Sequence, residues 1–159
     1  MYLQILFIQM KIEEVIKATG RMEVSTKTII NILYTSRFLE EQVTSLLKQF
    51  DLSNQQFNVL RILRGQKGNP ANLSTLQDRM IDKNSNTTRL VDKLLNKGLV
   101  ERYVCEQNRR KVEIFITEEG QRLLKRIDPK MNKLNSDLVK NLSSKQMEGL
   151  NEQLDTLRT

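Results

Sequence analysis

The chain contains no histidine, and this absence excludes several kinds of active site. Without an imidazole, neither a Ser-His-Asp nor a Cys-His catalytic group can form, and the usual histidine-containing zinc sites are excluded as well. No pair of carboxylates stands out as a general acid and base. We therefore expect no enzyme activity, no catalytic residue, no metal site and no cofactor.

Cysteine, tryptophan, proline and glycine are also scarce in these 159 residues. The single cysteine, Cys105, cannot form an intrachain disulfide, which fits a reducing compartment, so we expect a cytoplasmic protein. We interpret Cys105 as a packed strand residue, and its redox activity stays open. Aromatic residues make up 5% of the chain, which favours a core of Leu, Ile, Val and Met. The length of the chain and its few proline and glycine residues predict a single domain over residues 1–159.

Long apolar runs are missing too. The N-terminal stretch MYLQILFIQ has no basic flank and is shorter than the ~20 residues that span a bilayer, so we expect no membrane association. Residues 1–10 are interpreted as an apolar arm that packs on a partner. Whether Met1 or Met10 begins the natural chain stays open.

The positive charge is concentrated in one part of the chain. Residues 61–111 carry 12 basic and 5 acidic side chains, which equals the whole net charge of +7, and the remainder is neutral. A basic block within a neutral body is typical of a protein that binds a polyanion.

The pattern over this block predicts a winged helix-turn-helix, with its lobe spanning residues 53–117. A helix is expected over 74–80, opened by a capping box at Ser74, and a second over about 84–97, ended by Gly98. Alternating strands follow at 99–105 and 111–117, joined by a basic loop. The fold class is therefore mainly α with a small β-hairpin wing.

Helical segments flank this lobe on both sides. Residues 11–50 and 118–159 are predicted to form N- and C-terminal dimerisation helices, the first mainly over 26–50. The C-terminal segment begins with a helix whose N-cap is Thr117. Pro129 lies in this helix, and we expect it to kink or split the helix. A last helix follows, with a capping box at Ser143. The apolar residues of the helix that contains Pro129 repeat at heptad-like spacing, at Leu124, Ile127, Met131, Leu134 and Leu138.

Polar and basic side chains of the predicted lobe are suited to DNA. Asn and Arg pair with adenine and guanine edges, hydroxyls meet edges or phosphates, and clustered cations fit a narrow groove. The candidate DNA-binding residues are Ser74, Thr75, Ser85, Asn86, Thr88, Arg89, Lys93, Arg109, Arg110 and Lys111.

Two blocks of sequence, from Thr88 to Arg102 and from Asn108 to Gly120, resemble the MarR family of bacterial transcription regulators. The first resembles the family's recognition helix and its exit into the wing. The second resembles the wing segment Asp-x-Arg and the Thr-x-x-Gly start of the dimerisation helix, although Asn108 replaces the aspartate. The resemblance implies that Arg110 enters a minor groove, and the substitution puts the stiffness of the wing in question.

The resemblance also implies a ligand-responsive homodimeric repressor that binds a double-stranded, pseudo-palindromic operator. A small-molecule effector pocket is expected between the dimer arms and the DNA-binding lobe, where Tyr34, Arg37 and Phe38 are candidates, although core packing explains them equally well. The alternative is a winged-helix protein–protein interaction module without DNA binding. The net positive charge is concentrated in residues 61–111, within the predicted DNA-binding lobe, and this argues against that alternative.

Overall fold

The computed structural model describes residues 10–104 and 112–158. The chain divides into two units, residues 1–42 and 43–159. The elements are α1 (Ile12–Val15), α2 (Val24–Lys48), α3 (Asn54–Gly65), α4 (Leu73–Arg79), α5 (Thr87–Asn96), β1 (Val100–Val104), β2 (Val112–Ile116), α6 (Glu118–Val139) and α7 (Ser144–Thr156). The predicted fold class, mainly helical with one antiparallel hairpin, is confirmed.

The first unit contains α1 and most of α2. Lys27 and Glu13 form an ion pair at 2.5 Å between these two helices, and hydrogen bonding to Lys27 is the main cause of the lowered pKa of Glu13. Helix α2 begins and ends two residues before the predicted span of 26–50. Several large apolar side chains of α2 are exposed, including Leu33, whose exposed fraction is 65%.

The second unit is built around α3. This helix packs on α4, α5, α6 and β2, and its buried residues Val59, Leu60 and Leu63 lie in the centre of the core. A capping box begins this helix, since Ser53 and Gln56 satisfy each other's backbone N–H groups. A short bridge pairs Ala71 with Ile114 and so attaches the segment before α4 to the hairpin.

Of the two outcomes expected at Pro129, a kink or a split, helix α6 shows no split, because it runs without interruption to Val139. On both sides of the proline the helix is held by buried side chains, Ile127 before it and Met131 after it. The heptad-like repeat divides into two parts. Leu124, Ile127 and Met131 belong to the core of the lobe, whereas Leu134 is only partly buried.

Helix α7 starts with the predicted capping box at Ser143. None of its residues is buried, and its apolar residues Leu150 and Leu157 are exposed. None of the helices in residues 10–104 and 112–158 is long and apolar enough to cross a membrane.

Candidate nucleic-acid interface

Helix α5 carries the candidate reading surface. Its apolar face is buried through Val91 and Leu94, and Thr87 is buried with them. Thr88, Arg89 and Lys93 are exposed on the other side. The helix ends as expected, with Gly98 in the left-handed conformation (φ 66°) just before β1.

The start of α5 corrects the sequence interpretation. The helix begins at Thr87 and not near Asn84, because Asn86 acts as its N-cap and accepts a hydrogen bond from the Arg89 N–H at 3.0 Å. Asn86 and the half-buried Ser85 therefore lie in the turn before the helix and are not part of its exposed face.

The start of α4 is corrected in the same way. The predicted capping box at Ser74 is replaced by a cap at Asn72, whose Oδ1 accepts from the Thr75 N–H at 2.8 Å. The exposed Ser74 hydroxyl donates to the same oxygen at 2.7 Å. The amide of Thr75 and the hydroxyl proton of Ser74 are therefore used within the protein, and the hydroxyl of Thr75 is the one of these groups left to donate to a phosphate.

A shallow groove of about 330 Å³ brings several predicted residues together. Ser85, Asn86, Arg89 and Lys93 line it, and it is completed by residues that the sequence did not single out: Ser53, Gln55, Asp82 and Leu90. Ser53 and Gln55 belong to the beginning of α3, which no DNA-binding pattern in the sequence marks. The groove therefore combines the turn, α5 and the start of α3 into one surface.

Asp82 organises the turn that leads into α5. Its carboxylate accepts from the Asn84 N–H at 3.0 Å and from the Gln55 side chain at 3.5 Å. The Asn84 hydrogen bond, followed by those of Ser85 and Gln55, lowers the pKa of Asp82, so this carboxylate stays ionised at neutral pH. The hydrogen bonds to this carboxylate hold the turn that leads into α5 in place. The carboxylate is a negative charge within an otherwise basic surface.

Ion pairs fix the other end of α5 and the first strand of the wing. Lys97 Nζ lies 2.8 Å from a carboxylate oxygen of Asp51, in the turn before α3. Arg102 on β1 lies 2.9 Å from Asp92 on α5. Arg102 is therefore occupied with α5, and the cations with which the wing would meet DNA are those of its loop.

The wing loop itself lies outside the described residues, and with it Arg109, Arg110, Lys111, Asn108 and Cys105. On the strands that carry the loop, Tyr103 packs edge-on against Phe115 with ring centroids 6.0 Å apart. Tyr103 also donates to Glu101 at 2.7 Å, which raises the pKa of the Tyr103 phenol.

The candidate effector residues lie on α2, in the first unit. Tyr34, Arg37 and Phe38 are all exposed there, with exposed fractions of 50% for Tyr34 and 41% for Phe38. Among the described residues, no group of three or more Cys, Asp or Glu side chains is placed to hold a metal ion.

The three-helix lobe, with α5 exposed and a hairpin following it, defines a winged helix-turn-helix protein. The family described as "MarR family" matches residues 52–112, and no curated protein matches the chain. This match confirms, over residues 52–112, the resemblance to the MarR family seen in the sequence.

Several solved structures share the fold. A MarR transcription factor from Planctomyces limnophilus is 26% identical, with 86% of this chain and 99% of that chain covered and a TM-score of 0.67. An organohalide-sensing regulator with bound 2,4-dichlorophenol is 19% identical, with coverage of 89% and 86% and a TM-score of 0.79. A mutant MarR from E. coli in complex with operator DNA is 22% identical, with coverage of 79% and 89% and a TM-score of 0.71.

Proposed function

We propose that this protein is a cytoplasmic, homodimeric transcription repressor that reads double-stranded DNA with α5. The observation that carries the proposal is the exposed row Thr88, Arg89 and Lys93 on a helix whose opposite face is buried in the lobe. The match to the MarR family and the concentration of the net charge in residues 61–111 support it. A MarR protein of the same fold is known in complex with operator DNA.

The proposed complex places α5 in a major groove and the wing loop at the adjacent minor groove. Ser74, Thr75, Ser85 and Asn86 would approach the backbone and the edge of the site, and Arg109, Arg110 and Lys111 would supply the cations of the wing. Two copies related by a two-fold axis would read a pseudo-palindromic operator whose half-sites are separated by about one helical turn, ~10 bp.

Dimerisation is supported by large apolar side chains that are exposed among the described residues. On α2 these include Ile29, Leu33 and Phe38, and on α7 they include Leu150 and Leu157. Because exposed apolar surface of this kind is uncommon on a monomeric protein, a second copy is the occupant we propose. The partly buried end of the heptad-like repeat, Leu134 and Leu138, would contribute to the same contact.

A small aromatic effector is the proposed signal. Two aromatic rings and a guanidinium, from Tyr34, Phe38 and Arg37, are exposed on consecutive turns of α2 and suit a flat, weakly acidic ligand. A relative with the same fold is known with bound 2,4-dichlorophenol. Binding of such a ligand would shift the dimer between arrangements of different DNA affinity.

Replacing Arg89 by alanine is expected to weaken the best operator by ~1–3 kcal/mol and to relax base specificity, because Arg89 is the longest exposed donor on α5. The measurement is a mobility shift with the promoter DNA of the chain's own gene, followed by a library of operator variants.

Lys125→Ala is the control, since it also removes one exposed positive charge, but from α6. If both variants bind every sequence with the same affinity, α5 is not the reading helix. If the wild type binds acidic proteins as readily as DNA, the protein is an interaction module.

A further inference from the structure

One side chain, Gln77, connects three parts of the helix-turn-helix. It lies on α4 and is half-buried. Its amide nitrogen donates to the backbone carbonyl of Lys83, in the turn, at 2.6 Å. Its amide oxygen accepts from the hydroxyl of Thr87, the first residue of α5. A single amide group therefore holds both the turn and the start of the reading helix against α4.

The hydrogen-bonding chemistry leaves only one arrangement for this network. A backbone carbonyl can only accept, so the NH2 group of Gln77 must point to Lys83 and its oxygen to Thr87. The Thr87 hydroxyl must then be the donor in its bond to Gln77. Glutamate at position 77 would keep the bond to Thr87 but lose the one to Lys83, and methionine would lose both.

Burial makes this network costly to break. Thr87 has an exposed fraction of only 6%, so water cannot easily replace Gln77 as the partner of its hydroxyl. The residues that follow Thr87 directly are Thr88 and Arg89, both exposed on the proposed reading surface. A shift in the first turn of α5 would therefore move both of these side chains.

We propose that Gln77 is a positioning residue for DNA reading, which sets the place of Thr88 and Arg89 through Thr87 and Lys83. This inference rests on the proposed function and adds a residue that does not itself need to touch DNA. The precision required is high, because binding groups must be held to within about 0.5 Å of their productive positions.

The test is a double-mutant cycle on operator affinity with Gln77→Met, Thr87→Val and the double variant. Each single variant is expected to weaken binding ~10-fold, about 1.4 kcal/mol of binding free energy, because Thr88 and Arg89 are no longer held in place before DNA binds. Gln77→Met already breaks the bond that Thr87→Val removes, so the double variant should lose little more than Gln77→Met alone. Thr87→Ser keeps the hydroxyl and should restore most of the wild-type affinity.

Ile127→Val is the matched control for stability, since this residue is fully buried in α6, outside the helix-turn-helix. It should lower the unfolding temperature but leave operator affinity and specificity unchanged. Hydrogen exchange of the amides of residues 81–89 gives a second readout that does not depend on DNA. Gln77→Met should accelerate exchange there relative to α3, and Ile127→Val should not.

Two results would overturn the inference: wild-type affinity and specificity in Gln77→Met, or additive losses in the double variant. If the wild type binds no duplex DNA, the proposed function is wrong, and so is the role of Gln77 in DNA reading. The exchange experiment then still shows whether Gln77 holds the start of α5.

Discussion

Replacing Gly120 by alanine is expected to destabilise the lobe by ~3 kcal/mol or more, at the upper end of the range for overpacking. A Cβ atom at Gly120 would lie 2.3 Å from the carbonyl oxygen of Leu99 and 2.8 Å from Cγ1 of Ile116. The Leu99 carbonyl cannot simply move away, because it accepts from the Thr117 N–H at 3.1 Å. The first turn of α6 therefore requires a residue without a side chain.

Denaturant unfolding of the two alanine variants, Gly120→Ala and Gly65→Ala, measures this effect. Gly65 ends α3, and a Cβ atom added there would meet no other atom within 4 Å, so its replacement should stabilise the lobe by ~0.5–1 kcal/mol. If Gly120→Ala unfolds at the wild-type denaturant concentration, the close approach of α6 to Leu99 is wrong.

Replacing Leu33 by aspartate is expected to raise the dissociation constant of the proposed dimer ~100-fold, about 2.7 kcal/mol, because the contact would have to bury an unpaired charge. Leu33 is 65% exposed on α2, so the substitution leaves the fold of the single chain intact. A protein that dissociates also loses one of its two half-site contacts, and operator affinity should fall with it.

Sedimentation equilibrium over a range of protein concentrations measures the association. Thr35→Asp is the control, because it adds the same charge two residues along α2, at an exposed position on the opposite side of the helix. Dissociation constants that are the same for both variants would mean that Leu33 is not in the contact between copies.

The sequence predicted the order of the elements and the class of the fold because its signals there are local. Apolar spacing, the capping boxes at Ser53 and Ser143, the N-cap at Thr117 and the break at Gly98 each act within one or two turns of the chain. The two family motifs then led to the prediction of a DNA-binding function, since each combines particular residue types with a particular spacing.

The errors arose where two local signals compete or where the partner is distant in sequence. Asn72 and Asn86 each stand close to residues that are also good caps, and the structure shows that the asparagines prevail. At Pro129 the sequence left a kink and a split open, and core residues on either side of it keep α6 continuous.

The supporting residues of the interface could not be found from the sequence. The contact between Gln55 and Asp82 joins residues 27 positions apart, and the bond between Gln77 and Thr87 links two separate helices. Neither pair forms a recognisable motif. Such pairings depend on how α3, α4 and α5 pack, which single-chain periodicity does not specify.

The affinity for duplex operator DNA, measured between 50 and 200 mM salt, tests the central claim most directly. If a dimer neutralises ~6–10 phosphates with its basic block, the affinity should fall ~10³–10⁵-fold over this range, because binding releases condensed counterions. An affinity for duplex DNA that is undetectable at 50 mM salt, or that does not change with salt, would contradict the account.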